Sequence, residues 1–173
     1  MRMEVRKMRI FPTKVLLATD GSEEASRAAD AAVELCEITG SELHVVHVGA
    51  VVPPMLFAYP EPTDPREWSD GEDPTFDKGR LEALLEREAR KLLERQVERI
   101  ESAGGAVADS HLEMGDAVEK IVAVGEQLGA GLVIVGSRGL TGVKRAVMGS
   151  VSESIVRYAH CPVFVVRLEE GRA

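Results

Sequence analysis

Five short aliphatic runs alternate with four helix-patterned stretches along this chain, and no other feature limits its fold as tightly. Runs at 14–19 (KVLLAT), 43–48 (LHVVHV), 106–114, 131–135 and 162–167 (PVFVVR) read as strands. Between them, residues 23–38, 81–100, 117–128 and 150–159 place apolar side chains at helical spacing. In the second stretch Leu81, Leu84, Leu85, Leu92, Leu93, Val97 and Ile100 form one stripe, with pairs such as Glu86–Arg90 on the wet side. Gly40 and Gly104-Gly105 stand where the first two helices should stop. Strands that alternate with helices are joined by right-handed parallel crossovers, so the expected fold is α/β: a doubly wound parallel sheet covered by helices on both faces. The polar alternation of 106–114 suits an edge strand.

At 173 residues, a single domain spanning 1–173 is expected. Aromatic residues are only 4 % of the chain, so its core must be aliphatic. The net charge of −8 argues against broad contact with nucleic acid or an anionic membrane, both of which need positive fields. No run reaches 18 apolar residues, and the basic start has no long apolar stretch behind it. A cytoplasmic protein is expected, with residues 1–11 a loose tail. Cys36 and Cys161 form neither a metal spacing nor a disulfide framework and read as reduced thiols. Residues 49–77 break the rhythm. Six of the eight prolines and four of the seven aromatics fall there, which predicts a long proline-rich loop, either surface packing or a lid or subunit contact.

The chemistry gathers after the fourth strand. Gly136-Ser137-Arg138-Gly139 is followed, nine residues on, by Gly149-Ser150, where a helix should begin. Glycines at a strand exit bare backbone N–H groups, and a helix start adds more with the positive end of its dipole behind them, a combination that suits a phosphate. Arg138, Lys144 and Arg145 lie inside the segment and could meet that phosphate. Simpler roles exist for each residue. Glycines serve strand-to-helix turns because positive φ costs them nothing. Ser150 with Glu153, Asp20 with Glu23, and Asp116 with Glu119 all read as capping boxes. Glu153 also adds negative charge that a divalent cation would offset. The pattern is neither the dinucleotide fingerprint nor a P-loop, which need glycines after the first strand or a G-K-[ST] ending. If the first and fourth strands are central neighbours, Asp20 and Gly136 share one crevice at the carboxyl ends of the strands. His44, His47, His111 and His160 show no ligand spacing and read as strand-surface or turn residues. No catalytic triad or Cys-His pair emerges from spacing, so no catalytic residue is assigned.

These residues resemble the ATP-binding branch of the universal stress proteins. Gly136-x2-Gly139-x9-Gly149-Ser150 fits that branch's motif at every fixed position. The segment from Lys14 to Ser22 is similar to the family's first strand and turn, His47-Val48 to the end of its second strand, and 161–166 to its last strand. The resemblance spans residues 12–168. It implies a five-stranded parallel sheet of order 3-2-1-4-5, and a homodimer through the last strand (Val163, Phe164, Val165, Val166). An exposed aliphatic edge strand also favours such pairing. It further implies ATP as ligand, with Mg2+ or Mn2+ in some members. Asp20 and the Val48 backbone would meet adenine and ribose, with Ala18 and Thr19 flanking the base. Gly136, Gly139, Gly149 and Ser150 would line ribose and phosphates, Ser152 would reach a phosphate, and Arg138 and Val151 complete the set. The function so implied is an ATP-binding stress-response regulator with slow or no hydrolysis. A slow ATPase or phosphotransferase, or an interaction module using the 49–77 loop, stay open beside it.

Overall fold

Why each run becomes the element it does is visible in the computed structural model, which describes residues 12–53, 78–139 and 148–167. The chain order is β1 (Lys14–Ala18), α1 (Glu23–Thr39), β2 (Glu42–Gly49), α2 (Lys78–Ser102), β3 (Val107–Met114), α3 (Ala117–Leu128), β4 (Leu132–Gly136), α4 (Ser150–Tyr158) and β5 (Val163–Val166). The strands form one parallel sheet in the order β3-β2-β1-β4-β5, the order the resemblance implies. β3 and β5 are its edges. The tail 1–11, residues 54–77 of the proline-rich stretch, and Lys144 and Arg145 lie outside the described residues.

Period-two alternation splits the core into two layers. Val15 and Leu17 of β1 and Leu43 and Val45 of β2 pack against Ala28, Ala29, Ala32 and Cys36 of α1 and Leu93 and Ile100 of α2. Leu16, Ala18 and Val46 point the other way, with Val133 and Val135 of β4, onto Ile121 and Val124 of α3 and Ile155 of α4. β1 is buried on both faces, which is why its sequence is an unbroken aliphatic run. Each fully buried leucine of this set contributes about 1.5–3 kcal/mol. Among the described residues, no helix is long and apolar enough to cross a membrane.

Several local assignments differ from the sequence reading. Leu84, placed on the apolar stripe of α2, is 49 % exposed, and Ala89 takes the buried position between Leu85 and Leu93. The N-cap of α1 is Ser22, whose Oγ accepts the Ala25 N–H at 3.1 Å, so Asp20 is not the cap. Asp20 sits one turn earlier: its Oδ1 accepts the Ser22 N–H at 3.0 Å across Gly21, whose φ of 80° lies in the left-handed region. Asp116 does cap α3, accepting the Glu119 N–H at 2.9 Å. α4 begins at Ser150 itself, behind an N-cap Gly149 without a side-chain cap bond, so Ser150 and Glu153 form no capping box.

Candidate functional site

A cavity of about 220 Å3, open to solvent, lies at the carboxyl ends of β1, β2 and β4, between α3 and α4. This is where the winding of the sheet reverses, between its two central strands β1 and β4. All eleven residues that the resemblance implied for nucleotide contact line it: Ala18, Thr19, Asp20, Val48, Gly136, Arg138, Gly139, Gly149, Ser150, Val151 and Ser152. Ala117, Ile121, Val135 and Ile155 supply apolar walls.

The glycines have separate reasons for being glycine, and positive φ is not among them; among the described residues that region is occupied by Gly21, Gly40, Gly104, Gly115 and Gly129. A Cβ on Gly136 would stand 2.9 Å from the Glu24 carbonyl carbon and 3.0 Å from the Ala25 nitrogen, so its absence lets β4 run against the first turn of α1. A Cβ on Gly139 would overlap the Asp20 carboxylate at Oδ2. Gly149 is less crowded, with its nearest neighbour, Ser137 O, at 3.4 Å. Its N–H is already committed to that oxygen at 2.7 Å, so the amides that α4 can offer a ligand are those of Ser150, Val151 and Ser152, which have no acceptor within the helix.

Two side chains do less for a phosphate than their positions suggest. Ser152 Oγ donates to the Gly136 carbonyl at 2.7 Å, where it ties α4 to the end of β4. Arg138 holds its Nε 3.6 Å from Glu24 Oε1, so its positive charge already faces a carboxylate.

The residues that shape this turn escape any local pattern. Ser137 is 1 % exposed: its N–H donates to Val166 O at 2.7 Å, its carbonyl accepts from Gly149, and its Oγ donates to Glu24 Oε2 at 2.6 Å. Glu24 is itself buried, in the first turn of α1, where the helix dipole favours a negative charge. One buried carboxylate thus anchors both Ser137 and Arg138, although it does not line the cavity. His47 also departs from the sequence reading, being buried rather than on a surface. Its Nδ1 donates to the Thr19 carbonyl at 2.8 Å, and the ring stands at the cavity wall. The nucleotide-motif spacing could not have found Glu24, and nothing in the spacing of the histidines sets His47 apart from the other three.

The chain belongs to the universal stress protein family, whose family model matches residues 12–167. Universal stress protein YxiE of Bacillus subtilis is 32 % identical over 160 residues, covering 89 % of this chain and 98 % of its own. The solved structure of hypothetical protein MJ0577 is 26 % identical and superposes with a TM-score of 0.69 over 92 % of this chain and 98 % of that one. The universal stress protein from Archaeoglobus fulgidus solved in complex with dAMP shares the fold at 22 % identity, with a TM-score of 0.54 over 91 % of this chain and 98 % of its own.

Proposed function

We propose that this universal stress protein binds ATP in the cavity between β1 and β4 and acts as a nucleotide-dependent regulator in the stress response, with slow or no hydrolysis. The observation that carries the reading is the convergence of the α4 N-terminus, residues 150–152, on a cavity lined by Gly136 and Gly139, whose missing side chains let β4 close on α1 and leave room for the Asp20 carboxylate. Partial positive charge from unpaired amides is available there for phosphate oxygens. The apolar walls Ala117 and Ile121 suit the faces of a base, and the Asp20 carboxylate suits ribose hydroxyls or an exocyclic amino group as hydrogen-bond donors. A relative solved with dAMP supports an adenine nucleotide as the ligand class. Mg2+ or Mn2+ would arrive with the phosphates and add charge neutralisation at the mouth.

Asp20 is the one carboxylate among the described lining residues, and its Oδ1 is occupied by the Ser22 amide. That supports binding over rapid turnover. Calorimetric titration of the purified chain with ATP and AMP in Mg2+ tests this. Saturable one-to-one binding is expected, about tenfold or more tighter for ATP than AMP, and weakened about tenfold by Asp20→Ala. No saturable ATP binding overturns the reading. ADP production above that of the Asp20→Ala chain would favour a slow ATPase.

We also propose a homodimer through β5. Phe164 is 46 % exposed on a strand with one open edge, and an apolar edge gains from a partner. Sedimentation should give a dimer at micromolar concentration and a monomer for Phe164→Asp; a wild-type monomer refutes it.

A further inference from the structure

His44 sits three residues before His47 on β2, about 10 Å back along the strand from the cavity. There the ladder to β3 shifts register: Leu43 pairs with Val107, but His44 pairs with Asp109. One extra residue on β3 brings Asp109, and His111 two residues on, to the side of the sheet that His44 faces. His44, Asp109 and His111 then present ligand atoms that all lie within 4.8 Å of one another.

His44 Nδ1 and His111 Nε2 are 3.4 Å apart, and the ring centroids are 5.6 Å apart with planes inclined by 22°. The rings therefore meet edge to edge, nitrogen facing nitrogen. That is long for an N–H···N hydrogen bond. It is close to the separation, about 3.3 Å, of two imidazole nitrogens bound to one tetrahedral Zn2+ at ordinary bond lengths. Asp109 has one oxygen on the Ser110 amide at 2.8 Å and a second to offer. The other nitrogen of His44, Nε2, is buried without a hydrogen-bond partner, which a folded protein rarely tolerates. The nearest carboxylate to it, Glu42 Oε2, is 3.7 Å away. A metal-bound histidine almost always donates its remaining N–H to a carboxylate, a backbone carbonyl or a water.

We propose that His44, Asp109 and His111 form a binding site for one divalent transition-metal ion of the Zn2+ class, pinning the edge strand β3 to β2, with Glu42 orienting His44. Two imidazoles and a carboxylate suit such an ion better than Mg2+ or Ca2+, which prefer all-oxygen ligand sets. The exposed side of Asp109 leaves a coordination position for water.

The test uses the full chain, stripped of metal and free of nucleotide. It is titrated with ZnCl2 by calorimetry and with CoCl2 by visible absorption. We expect one ion per chain, tetrahedral Co2+ bands, and a melting temperature raised by about 5–10 °C at a hundredfold excess over Kd. His111→Ala and Asp109→Asn, both away from the fully buried core, should each weaken binding about tenfold or more while the apo melting curve and ATP affinity stay unchanged. His160→Gln and Cys161→Ala should bind as the wild type does. Absence of saturable uptake at about 0.1 mM Zn2+, or uptake that survives His111→Ala, overturns the assignment.

Discussion

Replacing Gly136 by alanine should destabilise the whole domain, whereas the same change at Gly149 should not. At Gly136 the new Cβ would stand 2.9 Å from the Glu24 carbonyl carbon, 3.0 Å from the Ala25 nitrogen and 3.1 Å from the Glu24 Cβ. Ordinary carbon contacts begin near 3.5 Å, so the shortfall is about half an ångström, most of it against helix backbone that cannot rotate aside. α1 is held there by its Ser22 cap and by the Glu24–Ser137 bond, so relief requires moving the helix off the sheet. Overpacking of this kind costs about 2–3 kcal/mol. The lower entropy of an unfolded chain with alanine returns about 0.4–1 kcal/mol. The net loss is about 1–2.5 kcal/mol, or about 2–10 °C in melting temperature at this chain length. At Gly149 a Cβ meets nothing nearer than 3.4 Å and φ is −63°, so its melting temperature should stay within about 2 °C of wild type. Gly139→Ala falls between them. Its Cβ displaces the end of the Asp20 side chain, so ATP affinity should drop while stability changes by less than about 1 kcal/mol. Circular-dichroism melts of the three variants decide the matter. A Gly136→Ala chain that melts with the wild type, or a Gly149→Ala chain that falls as far as Gly136→Ala, refutes the reasoning.

Ser137→Ala removes the hydroxyl that donates to the buried Glu24 carboxylate and should cost about 1.5–3 kcal/mol in urea unfolding. Adding Glu24→Gln should recover part of that loss, since a neutral amide is easier to leave without its partner; strictly additive effects would show that the two residues do not act as a pair. Burial raises the Cys36 thiol from 9.0 to about 11, so the folded state holds this proton more tightly than the unfolded one. The stabilisation is complete below pH 9, declines as the pH rises towards 11, and amounts to about 2–3 kcal/mol. Subtracting the pH profile of Cys36→Ala from that of the wild type isolates it, and a flat difference between pH 9 and 11 would show that the thiol is not shifted.

What could be read from the sequence, and what could not, divides by range. β1 and β4 were legible because strands buried on both faces must be aliphatic throughout. The strand order came only with the family resemblance, since alternation fixes parallel crossovers but not which strands are neighbours. Helix starts were misjudged where two polar residues compete. Asp20 and Ser22 can both cap, and the turn at Gly21 gives the first to the Ser22 amide and leaves the second to α1. The motif Ser150-x-x-Glu153 carries no sign that Gly149 is already bonded to Ser137. The longest-range partners were invisible: Glu24 meets Ser137 across 113 positions, and His44 meets His111 across 67, by way of a register shift that no pattern announces.

The same division explains why the glycine motif points to a ligand without describing how its site is held. Glycines at 136 and 139 record where main chain and carboxylate approach too closely for a Cβ, and such steric demands leave a mark on the local sequence. The forces that keep β4, α1 and α4 at that distance are a buried carboxylate and a serine, residue types common anywhere in a chain. A binding turn made of backbone is therefore conspicuous, and the side chains that position it are not. Mutational searches guided by the motif alone would miss Glu24 and Ser137, although Ser137 ties the end of β4 to β5, to the N-cap of α4 and to α1 through its N–H, carbonyl and hydroxyl.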